Sequence, residues 1–515
     1  MITAKEDTLK KRYFYKLLTN FFGMLMSFLT AGIVPRALGP QQYGDFSYLT
    51  NFFTKITGFL DMGSSTGFYA KLSKRQKDYG LISFYLYFVG AAILVVGIFA
   101  IAISVTPLHK ILLPDQRVMF ICFAAGWAVL TWATQILNNI TDAYALTVTA
   151  EITKVLQKAV YTVFVIVLFA TGLLSLVSFF CLQFAMLFLL LLVFALVITR
   201  NTDSVLRTWS LKRSEVASYF KEFYNYSHPL FVCSLVALIA GLLDRWLLQV
   251  FGGSAQQGFY GLSFTIGSFC FMFTSAMQPL LMREFSIAHG TKDLDKMARL
   301  FRNNIPLFYS IAAYFSCFIV MQADKVSHIF GGKSFGAAAI PVAIMAFYPI
   351  HQTYGQLSSS VFFASDQTPL YRNIDIFVSI AGLIMTFFLV ASPRFGGLGA
   401  GAIGLAIKMV AIQFITVNII LFFNSKYLKL SFWKYLAHQF VSVGVLLFIS
   451  ALSSYFIEFL FMNYHNNALE FFVAGIVYSI LTIMTVRFIP AVFGLNRDSL
   501  DSMLRPMLLS LRAKS

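Results

Sequence analysis

Runs of about twenty mainly apolar residues follow one another along almost the whole of this 515-residue chain. Each is the length a helix needs to cross a bilayer. In hydrocarbon every backbone polar group must be satisfied internally, which leaves only helices or closed barrels. Barrel strands would alternate polar and apolar residues, and these runs do not. With 58% hydrophobic and only 12% charged residues, the chain has more apolar surface than a water-soluble globule could hide. The expected fold is an all-α polytopic membrane protein of about fourteen transmembrane helices. The runs centre near residues 24, 55, 94, 127, 163, 187, 239, 270, 312, 351, 382, 411, 446 and 479.

The formal net charge of +17 does not point to nucleic acid, because the basic residues are scattered between apolar runs and form no basic domain. They report topology instead. Thirty of the 39 lysines and arginines fall on alternate connections, counting the N-terminal segment as the first. The opposite connections hold Arg36, Lys110, Arg117, Lys325, Lys333 and Arg394, and Lys55, Arg245 and Lys408 fall within runs. By the positive-inside rule both termini are expected in the cytoplasm, with the N-terminal basic cluster held by anionic membrane lipids. The first apolar run is longer than a signal core and ends in Pro35-Arg36 without a small-residue cleavage pattern, so it is expected to remain as the first span. The five cysteines lie in apolar runs without metal-ligand spacing and read as small buried hydrophobes.

One stretch occurs twice. Gly32 to Phe46 contains Pro35, Arg36, Gly39, Gln41, Gln42, Tyr43 and Gly44; Gly241 to Gly261 contains Asp244, Arg245, Gln256, Gln257, Tyr260 and Gly261. A glycine, an arginine, a Gln-Gln pair and Tyr-Gly recur in that order, which suggests a duplicated membrane unit of the kind from which many transporters are built. Pro35 biases Val34 away from helix, so the first helix is expected to end there, with Arg36 opening a corner made by Pro35, Arg36, Gly39, Tyr43 and Gly44. The polar seam at residues 200–226 separates the halves. Within it Val216, Tyr219, Phe220 and Phe223 have the spacing of a short helix lying on the inner membrane surface. The expected organisation is an N-terminal six-helix bundle over 1–200, a C-terminal six-helix bundle over 201–425, and two additional helices with a basic tail over 426–515. The two bundles are expected to be pseudo-repeats around a central cavity.

Catalytic signatures are missing. There is no nucleophile elbow, phosphate loop, metal-binding helix motif or kinase signature, and no connection is long enough for a catalytic domain; no catalytic residue, cofactor or metal is expected. Gly399-Ala-Gly401-Ala-Ile-Gly404 has the letters of a dinucleotide-binding turn but no preceding strand, so close helix packing accounts for it better. Glu151 and Lys158 read as a solvated pair at the membrane edge.

The residues that single out a site are charges inside apolar runs: Lys55, Asp61, Asp244, Arg245 and Lys408. Each costs about 2.5–3.5 kcal/mol at a helix centre on insertion scales, so keeping several implies a water-filled interior or mutual pairing. Lys55 and Asp61 are six residues apart and point to different faces. Bases outnumber acids, which suits an anionic ligand such as a phosphate or diphosphate in a low-dielectric cavity.

The corner Pro35-Arg36-Ala-Leu-Gly39-Pro40 with Tyr43-Gly44, the step Asp61-Met-Gly63, the repeat at Asp244-Arg245 and the glycines before the run near 411 together resemble bacterial polysaccharide biosynthesis proteins. These are the Wzx-type O-antigen flippases of the multidrug, oligosaccharidyl-lipid and polysaccharide exporter superfamily. The resemblance implies a flippase of the bacterial inner membrane that moves an undecaprenyl-diphosphate-linked oligosaccharide by alternating access. Lys55, Asp61, Asp244, Arg245 and Lys408 would then line the substrate cavity. It also brings a polysaccharide polymerase and a chain-length regulator as prospective partners, and a proton or sodium ion as candidate coupling ion. Fourteen spans is similar to the lipid II flippase branch, where two extra helices help accommodate the lipid tail. A multidrug or cation antiporter of the same superfamily is the alternative; it would use a cavity acid to hold its cargo.

Overall fold

The computed structural model describes residues 9–76, 78–202, 211–228, 231–275, 277–461, 466–495 and 497. Lys77, residues 203–210 of the seam and the basic tail residues Arg505, Arg512 and Lys514 lie outside the described residues. Among those described there are helices and no strands. The chain divides into two compact units, Met1–Gly258 and Phe259–Ser515.

The first unit contains α1 (Leu9–Asp61), α2 (Ser64–Lys74), α3 (Tyr79–Val105), α4 (Leu108–Leu112), α5 (Val118–Ala143), α6 (Thr147–Ala170), α7 (Leu176–Asn201) and α8 (Arg213–Ser227). Helix α9 (Phe231–Ser275) begins in it and continues into the second. The second unit holds α10 (Gln278–Gly290), α11 (Leu294–Met321), α12 (Ala323–Gly331), α13 (Ala339–Met345), α14 (Tyr348–Ala364), α15 (Thr368–Val390), α16 (Gly401–Tyr427), α17 (Phe432–Leu460) and α18 (Asn467–Phe488).

Twelve helical stretches among the described residues are long and apolar enough to cross a membrane. Two of them are far too long for one crossing: the 53 residues of α1 would run about 80 Å if straight, against a hydrocarbon core of about 30 Å. Both α1 and α9 are bent once, at Gly39 and Gly253. Each therefore supplies two rods, and the total is the fourteen expected from the apolar runs.

The position of the first bend corrects the sequence reading. Pro35 and Arg36 lie inside the helix, which runs on to Leu38 before breaking at Gly39. A proline inside a helix removes one hydrogen bond but keeps a helical φ. A sharp change of direction needs a residue in the left-handed region, and Gly39 has φ 71° and ψ 172°. Pro40 then opens the second arm, where its missing N–H costs nothing. Gly253 adopts nearly the same conformation, φ 71° and ψ −176°.

In the first unit the core gathers Phe68, Leu72, Tyr85, Ile136, Ile140, Phe194 and Phe223 from α2, α3, α5, α7 and α8. Helix α8 is the one expected in the seam, but its faces divide differently. Tyr219 and Phe223 turn inward, with ring centroids 5.6 and 5.7 Å from Phe84, while Val216 and Phe220 are exposed. Polar contacts fix it there: Glu222 accepts from Lys71 Nζ at 2.7 Å and Arg75 Nη2 at 2.5 Å, and the Tyr219 hydroxyl donates to Asp78 Oδ1 at 2.6 Å.

The Lys71 ammonium hydrogen-bonded to it, aided by Arg75, holds the Glu222 carboxyl below its ordinary range. A depressed folded-state pKa contributes stability above the unfolded value of about 4.3, and that stability is lost as pH falls through the lower folded value. The pair is partly exposed, so the effect is local and salt-sensitive. A spin label at position 220 is expected to gain mobility as pH drops below about 4. Glu222→Gln should remove this pH dependence; an unchanged profile in that variant would refute the clamp.

In the second unit Phe285, Phe301, Tyr309, Tyr354, Leu446 and Tyr478 form one core from α10, α11, α14, α17 and α18. The last two helices are fastened to α11 by hydroxyls and small residues, the usual means of close helix approach in lipid. Ser310 Oγ meets Ser442 Oγ at 2.9 Å, Tyr314 Oη meets Ser479 Oγ at 2.6 Å, and Gln322 Nε2 donates to Ser454 Oγ at 2.6 Å. Lys325 of α12 also pairs with Glu470 of α18 at 3.0 Å. Cys270 and Cys317 are buried free thiols, but Cys122 and Cys181 are exposed, against the expectation of burial.

Candidate functional site

The two bends of the first unit meet tightly. A methyl group placed on Gly44 would lie 1.7 Å from the Ser254 carbonyl oxygen, and one on Gly258 would lie 2.0 Å from that of Pro40. Gly44 stands five residues after its bend and Gly258 five after its own. Each glycine thus admits the backbone of the residue that opens the other arm. This reassigns the repeat: the counterpart of Gly44 is Gly258 rather than Gly261, and Tyr43 corresponds to Gln257. The arginines are not equivalent either. Arg36 precedes its bend by three residues and Arg245 by eight, placing Arg245 about 12 Å along the helix from its corner.

Arg245 bridges its bend. Its Nη1 donates to Gln257 Oε1 at 2.9 Å, and Gln257 Nε2 donates back to the Arg245 carbonyl at 2.5 Å. Gln257 is fully buried. Arg245→Lys keeps the charge but loses this geometry; it is expected to cost about 1.5–3 kcal/mol, measured as a lower thermal midpoint of the purified protein. Asp244 beside it is also buried.

The lysines share a way of being housed. A methyl on Gly241 would lie 2.8 Å from Lys55 Cε and 3.2 Å from its Nζ, so the Lys55 stem crosses α9 one turn from Arg245. Likewise a methyl on Gly382 of α15 would lie 3.0 Å from Lys408 Cε and 3.4 Å from its Nζ. Lys408, on α16, is only 6% exposed. A third lysine follows the same pattern: a methyl on Gly23 would lie 3.6 Å from Lys158 Nζ. The glycine supplies the groove in which a long aliphatic stem crosses the neighbouring helix; Lys408 is buried there, Lys158 is half-buried and Lys55 is exposed.

Lys158 was missed by sequence reasoning, which read it with Glu151 as a solvated pair at the membrane edge. Helix α6 starts at Thr147, so Lys158 lies eleven residues along it, near its middle. Glu151 is not solvated but 2% exposed, accepting from Thr19 Oγ1 at 2.9 Å and from Lys154 Nζ at 2.6 Å. The i, i+7, i+11 register of Glu151, Lys158 and Thr162 was the available signal that these residues share one helix stripe.

Asp61 ends α1. Met62 (φ 42°) and Gly63 (φ 73°) turn the chain, and α2 restarts at Ser64. The Asp61 carboxylate takes over the capping of α2. Its Oδ1 accepts from the Ser65 N–H at 3.1 Å, Ser64 Oγ at 3.3 Å, Trp132 Nε1 at 3.3 Å and Tyr85 Oη at 3.4 Å. Its Oδ2 accepts from Ser65 Oγ at 2.8 Å. Lys55 is not among its partners. The structure therefore brings Lys55, Asp244 and Arg245 around one stretch of α9, sets Asp61 apart at the end of its arm, and places Lys408 in the second unit.

Residues 9–283 match the polysaccharide biosynthesis protein family. No curated protein sequence matches the chain. Among solved structures, the chain is similar to the lipid II flippase MurJ in an inward closed conformation, with 11% identity, a TM-score of 0.63 and coverage of 92% of this chain and 98% of that one. It is also similar to an inward-facing multidrug resistance MATE family transporter of the MOP superfamily, with 16% identity, a TM-score of 0.61 and coverage of 79% and 96%. A MOP superfamily transporter from Pyrococcus furiosus, described as having a binding pocket of reversed polarity, aligns at 17% identity and a TM-score of 0.52 over 83% and 98%. With fourteen rods, a repeated glycine bend and this match over more than half its length, the chain belongs to the polysaccharide biosynthesis protein family and has the fold of MOP superfamily transporters.

Proposed function

We propose that this chain is a flippase that carries an undecaprenyl-diphosphate-linked oligosaccharide across the bacterial cytoplasmic membrane by alternating access, with both termini in the cytoplasm. The observation that supports this most is the set of lysines within helices long and apolar enough to cross a membrane, each laid across a glycine of the adjacent helix. A chain that only needed to pack would not retain such charges. Basic groups held in low dielectric are suited to an anionic diphosphate linker. In this reading Lys55, Arg245 and Lys408 contact the linker or its sugars, Lys158 joins them, and Asp61 and Asp244 shape the local field. A proton or sodium gradient would supply the drive, and a polymerase and chain-length regulator would take the product.

The test is expression in flippase-deletion strains that each make a different lipid-linked glycan. Restoration of a surface polysaccharide ladder in one of them is the expected result. Failure in all of them, together with raised resistance to cationic drugs, would favour the antiporter instead. Rescue of a strain lacking its lipid II flippase would move the substrate to that branch. Reporter fusions in 200–226 and 458–469 test the orientation: the first should report cytoplasmic and the second external.

A further inference from the structure

In the second unit a cavity of about 370 Å³ opens between two turns, the one joining α10 to α11 and the one joining α16 to α17. Its charged lining is Lys292, Asp293, Asp295, Arg302 and Lys429. The two turns are built alike. Each preceding helix closes with a hydrogen bond spanning five residues, from the Asp293 N–H to the Ala288 carbonyl at 2.9 Å and from the Leu430 N–H to the Ser425 carbonyl at 2.8 Å. The residue before each donor is left-handed: Lys292 with φ 56° and Lys429 with φ 53°. Glycine takes that position most readily, and a side chain there costs about 1–2 kcal/mol, so the turns themselves do not call for lysine. Arg302 shares a face of α11 with Asp295 and Ala298. Its Nε donates to the Ala298 carbonyl at 3.3 Å, and among the described residues its terminal nitrogens have no hydrogen-bond partner. Lys292, Lys429 and Arg302 take part in no ion pair among the described residues. Asp293 is committed to the start of α11, accepting from the Lys296 N–H at 2.7 Å. Residues 292–302 and 426–434 together hold seven bases and two acids. Helices α11, α16 and α17 are each long and apolar enough to cross a membrane, and the cavity lies where α16 ends and α11 and α17 begin. That is the level of lipid headgroups. Trp433 at the start of α17 is 74% exposed, as an aromatic anchor at the membrane–water boundary is.

We propose that this cavity holds the headgroup of an anionic phospholipid that carries hydroxyls, phosphatidylglycerol being the simplest. Arg302 supplies the paired donors that fit a phosphate, and Lys292 and Lys429 add mobile point charges from the two turns. The Asp295 carboxylate accepts from headgroup hydroxyls, which phosphoglycerol has and phosphocholine lacks. A soluble phosphate ester shares this chemistry, but the place of the cavity at headgroup level, beside an exposed tryptophan, favours a ligand whose chains lie in the membrane. The volume is within the range of about 300–1,000 Å³ usual for small-ligand sites. A bound headgroup ties the α10–α11 turn to the α16–α17 turn and so steadies one end of the second unit. The inference rests on membrane placement alone and not on the proposed function, and no residue assigned to the glycan carrier lines this cavity.

The test places the purified full-length protein in nanodiscs of phosphatidylcholine with and without phosphatidylglycerol. Lipid retained on the protein is read by native mass spectrometry, and the thermal midpoint is read alongside. Phosphatidylglycerol should be retained over phosphatidylcholine and should raise the midpoint. Arg302→Gln should weaken retention about tenfold through loss of a charge-assisted contact. A second variant is protected against misfolding: Lys292→Gly with Lys429→Gly removes both charges and gives each turn its preferred residue. It should be at least as stable as wild type in phosphatidylcholine, yet lose the gain from phosphatidylglycerol. Arg299→Gln with Lys426→Gln removes two charges from exposed positions beside the cavity and should change neither reading. An equal loss in that control overturns the proposal, because it would mark diffuse attraction to an anionic surface. Displacement of phosphatidylglycerol by soluble glycerol 1-phosphate at equal concentration overturns the lipid assignment in favour of a soluble ester. Unchanged retention in the Arg302→Gln variant or in the double glycine variant overturns the proposal as well.

Discussion

Gly44→Ala is expected to eliminate folded protein from the membrane, and Gly258→Ala to do the same. The added methyl of the first would sit 1.7 Å from the Ser254 carbonyl oxygen and 2.8 Å from the Gly258 nitrogen; that of the second, 2.0 Å from the Pro40 oxygen. All these obstacles are backbone, so no side chain can rotate away, and relief requires the two arms to separate. The bends themselves should be far more tolerant. Beyond the local backbone no atom lies within 4 Å of a methyl on Gly39 or Gly253, so alanine there carries the cost of a positive φ with extended ψ, a conformation almost confined to glycine, about 1–3 kcal/mol. Fluorescence-detected size exclusion on tagged variants checks the order: Gly44→Ala and Gly258→Ala lost, Gly39→Ala and Gly253→Ala recovered at reduced yield. A monodisperse Gly44→Ala peak at wild-type level would show that the two arms do not cross as described.

The second large effect is expected at Lys408. Its charge sits 6% exposed on α16, with the stem laid over Gly382. Lys408→Met keeps the stem's volume and removes the ammonium, so it should abolish export while leaving membrane levels intact. Lys408→Ala should abolish export too, with some added loss of stability from the space left behind. Gly382→Ala provides a graded control, since its methyl would press on the flexible end of Lys408 at 3.0 Å rather than on backbone and should reduce export without ending it. A normal polysaccharide ladder from Lys408→Met would remove this residue from the transport path.

What could be read from the sequence followed the range of the interaction involved. The fourteen rods were legible because each depends on a local run of apolar residues, and the duplication was legible because it repeats letters. The register of the duplication was not, since it is set by contacts between residues some two hundred apart, Gly44 with Ser254 and Gly258 with Pro40. Pro35 drew the eye as a helix stop because proline is the strongest local signal, whereas the bend belongs to Gly39, whose backbone freedom carries no such mark. Charge was visible and its surroundings were not. Asp61 stood out in its apolar run, but Tyr85 and Trp132, which complete its hydrogen bonding, come from other helices. Lys158 was hidden by its reading as a solvated partner of Glu151, and with it the common pattern of lysine over glycine.

The fastening of α17 and α18 bears on what counts as the smallest workable form of this transporter. Counting repeats makes the last two helices an appendix to a core that ends near Tyr427. Yet Ser310, Tyr314 and Gln322 of α11 meet Ser442, Ser479 and Ser454 of that pair, and Tyr478 lies in the same core as Tyr309 and Tyr354. Cutting the chain after α16 would turn a stripe of hydroxyls and a carboxamide toward hydrocarbon, where nothing can replace their partners. Whatever their origin as an addition, these helices have become part of what the second half needs in order to fold, and shortening the protein to its repeated portion would leave it unable to settle in the bilayer.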